Sequence, residues 1–99
     1  MARFDIYANP GGAGYIIDIQ ADILSDLNTR IVVPLMPLSA APSPAKRLNP
    51  VFGVGGEPHV MVTQFMAAIP RALLREPVTN LADHDAEIMA ALDMVLVGF

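Results

Sequence analysis

Cysteine is absent from the 99 residues. That excludes disulfides, a thiolate nucleophile and a zinc–thiolate site, and leaves the redox compartment unmarked. Basic charge is scarce too. Six Lys and Arg stand against ten Asp and Glu, for a net charge of −4. The six are scattered as Arg3, Arg30, Lys46, Arg47, Arg71 and Arg75, with no basic stripe to neutralise a phosphate backbone, so no direct nucleic-acid binding is expected. No apolar run reaches the roughly 18 residues a membrane span needs. No basic n-region with an apolar h-region precedes the first strand-like segment, so nothing directs secretion and a cytoplasmic protein is expected.

What is abundant is apolar surface. Hydrophobic residues make up 54% of the chain and charged ones only 16%, against about 45–50% and 25% in ordinary globular domains. The length allows one domain, residues 1–99. A core this small cannot hide so many apolar side chains, and a symmetric homodimer is the simplest remedy.

Along the chain, Arg3 to Ala8 alternates, with Phe4 and Ile6 on one face and Asp5 and Tyr7 on the other, which predicts a half-buried strand. Residues 9–14 are turn chemistry, and Tyr15 to Gln20 reads as the returning strand of a hairpin with Ile17 and Ile19 inward. Residues 21–30 are polar and connecting. Ile31 to Leu38 is β-branched and apolar, but Pro34 and Pro37 predict an edge strand or one broken by a bulge. Residues 51–54 and 59–63 flank Gly55-Gly56-Glu57-Pro58, which predicts a second hairpin; a short apolar segment, Ala72-Leu73-Leu74, is closed by Glu76-Pro77. The period then changes: Ile88, Leu92, Val95 and Phe99 recur at helical spacing behind Asp83, Asp85 and Glu87, predicting a helix from about Ala82 to Leu96. Gly98 is placed to end it, leaving Val97-Gly98-Phe99 as an apolar terminus to be packed on its own domain, held in a subunit interface or presented to a partner. Short antiparallel strands followed by one helix predict a small bent barrel or sheet with the helix closing one side.

Few constellations carry chemistry. Gly11-Gly12-Ala13-Gly14 leads into a strand with no following P-loop lysine, so it reads as a flexible hairpin loop and not a phosphate cradle. Asp83-His84-Asp85-Ala86-Glu87 splays its ligands around a helix, and no metal site or cofactor is expected. His59, with an Arg and a hydroxyl, has the residue types for phosphodiester cleavage, but no spacing makes that specific; it reads as a strand histidine. The methionines Met36, Met61, Met66, Met89 and Met94 read as core and interface filler. The residues thus point to a dimeric β-rich domain that binds protein and is not an enzyme.

The order of landmarks adds to this. Phe4-Asp5-Ile6-Tyr7, the D-x-Q-x-D segment Asp18 to Leu24, the R-x-V-x-P-L strand Arg30 to Leu35, Leu48-Asn49-Pro50-Val51, Met61-Val62-Thr63, Ala67 to Pro70 and Gly98 follow one another over nearly the whole chain. In this the chain resembles the CcdB family of plasmid-type toxins. The resemblance implies a mainly β, SH3-like barrel with a small extra sheet and a C-terminal helix, assembled as a two-fold dimer. It implies a type II toxin that binds the dimerised A subunit of DNA gyrase and traps the cleaved-DNA complex. A CcdA-like antitoxin would neutralise it with a segment that folds on binding, and would supply the DNA contacts when the complex represses its operon. Carried over by position, the gyrase-facing residues are Ala21, Ile23, Leu24, Asp93, Val97, Gly98 and Phe99. Two departures stand out. Family poisons end in Trp-Gly-Ile, and here Val97 stands at the Trp and Phe99 at the Ile. The family's helix begins with a Ser capping box, and here Ala82 and Asp85 hold those positions, which predicts a weakened cap. Three readings stay open: a gyrase poison with an altered anchor, a homologue that has lost poisoning but keeps the dimer and antitoxin groove, and an mRNA-cleaving toxin like the related Kid and MazF.

Overall fold

A computed structural model of the chain describes residues 2–99. Strand β1 (Asp5–Ala8) pairs antiparallel with β2 (Tyr15–Asp18), Ile6 opposite Ile17, across the expected loop at residues 9–14. Within that loop Gly14 has φ +86, and a Cβ there would stand 2.6 Å from the Leu35 carbonyl oxygen. The glycine is needed for close backbone approach.

β1 is not half-buried as its alternation predicts: Asp5, Ile6 and Tyr7 are all inside. The sheet is covered on both faces. Phe4, Ile6, Ile17, Ile19, Val33, Leu35, Phe52 and Met61 belong to the main core, shared with Ile88, Ala91 and Leu92 of the helix. Tyr7, Ile16 and Val32 form a second cluster with Leu74, from the segment between residues 71 and 78. Two charged residues of that second face are buried as a pair, while the Tyr7 hydroxyl and Arg30 Nη1 are buried there with no hydrogen-bond partner among the described residues. Arg30 donates through Nε and Nη2 to Asp18 Oδ2, and neither side chain is exposed.

β3 (Thr29–Pro37) is central, where its prolines predict an edge or a bulge. One side pairs with β2, Ile17 opposite Val33. The other side is shared. Thr29 to Val32 pair with β6 (Ala67–Pro70), and Leu35 to Pro37 pair with β5 (Glu57–Met61). Pro34 falls in the gap where one neighbour hands over to the next, so its missing N–H interrupts neither ladder, while its carbonyl accepts from the Val62 amide at 3.0 Å. β4 (Val51–Val54) joins β5 through a two-residue turn, Gly55 and Gly56 at φ +63 and +82, tighter than the four-residue loop expected. β7 (Thr79–Asn80) lies on β1. The order β4-β5-β3-β2-β1-β7, with β6 branching from β3, curls into a half-barrel closed by one C-terminal helix, the mainly β fold expected.

Helix α1 (Asp85–Leu96) follows a 3₁₀ turn at Ala82–His84, so the predicted span is right and its first turn tighter. Asp85 and Glu87 occupy the positive end of the dipole. No side chain caps α1 itself. Asn80 serves the entry instead, its Oδ1 accepting from the Ala82 amide at 2.7 Å while its Nδ2 donates to the Arg3 carbonyl and Asp5 Oδ1. Burying Ile88 and Leu92 contributes about 2 kcal/mol each. The predicted stripe leaves the core in the last turn: Val95 is at the surface, and Gly98, at φ +95, ends the helix before Phe99 can continue it.

Candidate partner-binding surface

The terminus is settled by exposure. Leu96, Val97 and Phe99 are 70%, 60% and 77% exposed, so the apolar end is not packed on its own domain. Nor does it hang loosely from the helix. The Val97 amide donates to the Asp93 carbonyl at 2.8 Å, and the Gly98 amide lies 3.0 and 3.1 Å from the carbonyls of Asp93 and Met94. The left-handed Gly98 therefore fixes the direction in which Phe99 leaves.

The second segment is a 3₁₀ turn at Asp22–Leu24, which sequence reasoning left as connecting chain. Ile23 is 90% exposed, and Leu24 and Leu27 are about half exposed. The Leu24 amide donates to the Ala21 carbonyl, and Gln20, buried at the end of β2, donates from Nε2 to the Leu24 carbonyl at 2.9 Å. Short polar bonds thus hold an apolar tip in water. All seven positions, Ala21, Ile23, Leu24, Asp93, Val97, Gly98 and Phe99, lie at the surface. The positional carry-over does not include the exposed Leu27 and Leu96; Leu27 stands out as an apolar residue in a polar stretch, and Leu96 is hidden within the apolar run Met94 to Val97.

One residue links the turn to the helix that carries the terminus. The Arg3 amide donates to Asp22 Oδ1 at 2.8 Å, and Arg3 Nη2 lies 3.3 Å from Met89 Sδ on α1. Met89 is one turn before Asp93 on the same helical face.

Elsewhere the chemistry-bearing residues go to structural uses. His59 is 4% exposed, its Nδ1 lying 3.0 Å from the Glu57 carbonyl and its ring edge-on to Tyr15 at 5.1 Å. His84 is on another element, 3.3 Å from Glu87 Oε1. The Thr63 hydroxyl is buried and donates to the Leu48 carbonyl. Among the described residues no three His, Asp or Glu side chains converge to hold a metal ion. None of the described helices is long and apolar enough to cross a membrane. Met61 is in the core, and Met66 and Met89 pack against it.

Two titratable groups are displaced by the buried second face. Burial pushes the Asp18 carboxyl above its ordinary 3.8, against the pull of the Arg30 guanidinium and the Gln20 amide. Burial likewise raises the Tyr7 phenol above 10.0, and the nearby carboxylates of Asp5 and Asp18 add to it.

Fold and surface define a class: a curled β half-barrel closed by a single terminal helix whose apolar end stands in water. A family model described as CcdB protein matches residues 3–98, nearly the entire chain. The chain belongs to the CcdB family, the toxins of toxin–antitoxin modules.

Proposed function

We propose that this toxin acts as a homodimer in the cytoplasm, binding the A subunit of DNA gyrase through Ala21, Ile23, Leu24, Asp93, Val97, Gly98 and Phe99, and that it makes and breaks no bond itself. The observation that carries the reading is the rigidly capped, exposed Val97-Gly98-Phe99 terminus, in a member of a toxin family. Apolar side chains held in water lose hydration cost when a partner covers them, and an aromatic at the centre of a contact often dominates its affinity. A CcdA-like antitoxin completes the module, wrapping the dimer and supplying its DNA contacts.

The test is DNA supercoiling and cleaved-complex trapping with the source organism's gyrase. Inhibition of supercoiling together with protein-linked DNA breaks is the expected result. Absence of both, with a folded protein, refutes the proposal. Sedimentation at micromolar concentration checks the dimer, and a clean monomer would refute that part.

Val97 favours one competing reading. It lacks the π-face of the family's Trp, and a cation–π contact contributes on the order of 0.5–2 kcal/mol. A homologue that keeps dimer and antitoxin binding without poisoning would bind antitoxin yet leave gyrase untouched. The mRNA-cleaving reading gains no support from His59, which is largely buried with its ring edge-on to Tyr15.

A further inference from the structure

We propose that Arg3 is the positioning residue that holds the Asp22–Leu24 turn against α1 and so presets the two halves of the partner surface. The inference rests on the reading just given for that surface. It starts from a backbone outlier. Phe4, a buried aromatic, has φ +70, a conformation that L side chains rarely adopt. Such an outlier persists only where its surroundings over-determine it. Here they do: the Phe4 amide donates to the Asp18 carbonyl at 2.6 Å, and its carbonyl accepts from Leu81 at 3.0 Å.

The reversal at Phe4 sends the groups of Arg3 in three directions. Its amide goes to Asp22 Oδ1 in the turn, its carbonyl accepts from Asn80 Nδ2, and its guanidinium reaches the Ile19 carbonyl through Nε (3.1 Å) and Met89 Sδ through Nη2. The guanidinium also lies 4.8 Å from the Phe4 ring centroid. An arginine at a surface ordinarily takes a carboxylate with its planar fork. Among the described residues Arg3 forms no ion pair. Asp22 spends an oxygen on the Arg3 amide instead. Arg3 therefore bridges three elements: the end of β2, the turn after it and the helix that carries Asp93 and the terminus. A surface built from two separate segments binds better when their spacing is fixed beforehand, because less ordering entropy is lost on contact.

The test uses the full chain with Arg3→Met, which keeps the apolar stem and removes the guanidinium, and Asp22→Ala, which cuts the tie to the amide. Amide hydrogen exchange is read at residues 21–25 and on α1, beside the thermal midpoint and calorimetric affinity for the gyrase A subunit. In both variants exchange at residues 21–25 is expected to rise severalfold, with sheet amides and midpoint unchanged, and affinity to fall roughly tenfold. Arg3→Lys, with one donor able to reach the Ile19 carbonyl, is expected to fall between. Unchanged exchange at residues 21–25 overturns the proposal, as does a rise shared equally with the sheet. So does faster exchange with undiminished affinity. Should Arg3→Met fail to fold, Arg3→Lys decides for the guanidinium, and Asp22→Ala reports the main-chain tie only. Failure of the wild-type protein to bind gyrase sinks the proposed function, while the exchange data still judge whether Arg3 positions the turn.

Discussion

Arg30 on β3 and Asp18 on β2 face each other on the covered second side of the sheet, and neither side chain reaches solvent. Asp18 Oδ2 takes both guanidinium contacts, and Oδ1 accepts from the Gln20 amide at 3.0 Å. Removing one member of a buried pair strands the other, at a cost of about 3–5 kcal/mol. Arg30→Met is therefore expected to lose that much stability in urea unfolding. The loss should also depend on pH. A carboxyl raised in the folded state holds its proton more tightly folded than unfolded, so its contribution is complete below 3.8 and fades as pH climbs through the folded value. Taking Arg30 away removes an influence that lowers Asp18, so the variant should lose more stability as pH climbs above 3.8 than the wild type does. A flat difference across that range would contradict the raised carboxyl.

Deleting Gly98 and Phe99 removes exposed residues and the Gly98 cap on the Asp93 and Met94 carbonyls, so the last turn should fray while the core and the fold are kept and growth arrest on expression disappears. Equal toxicity of truncated and full-length forms would show that the terminus is not the anchor.

Val97→Trp restores the aromatic of the family poisons at a position 60% exposed, where nothing in the core must move. Affinity for the gyrase A subunit should rise roughly tenfold. Unchanged affinity would place the anchor elsewhere, with Phe99 the next residue to substitute.

Gly14 and Gly56 have nearly the same φ, +86 and +82, but a Cβ at Gly56 meets nothing within 4 Å. Gly56→Ala should cost about 1 kcal/mol, from left-handed strain alone. Gly14→Ala, driven into the Leu35 carbonyl as well, should cost about 3 kcal/mol. Thermal unfolding of the two variants separates strain from collision, and equal losses would dismiss the close approach.

Asn80→Ala removes three hydrogen bonds at the helix entry and should cost about 1–2 kcal/mol, with the 82–84 turn loosening first. Amide exchange at Ala82 reports it directly.

Local patterns carried the hairpins and the helix, because alternation and the 3.6 period are written in neighbouring residues. What escaped the sequence was decided between distant ones. Asp18 and Arg30 look like solvent-facing residues until they meet across the sheet. Pro34 looks like a strand breaker until β5 and β6 divide one side of β3 between them. The cap that Ala82 lacks is supplied by Asn80, itself fixed by Arg3 and Asp5 from the other end of the chain. The apolar terminus was legible from composition, and the turn at Asp22–Leu24 entered through the resemblance alone. Arg3 was not legible as part of the surface, its partners lying 19 and 86 positions away.

The outermost strands have a consequence for how this molecule meets others. β7 is two residues long, β6 ends at Pro70, and β4 carries Gly53 in its middle. None offers a long row of free amides and carbonyls for a foreign chain to zip onto, which guards an unusually oily protein against runaway stacking. Recognition is left to side chains, so specificity can be retuned one substitution at a time without disturbing the ladder that holds the barrel together.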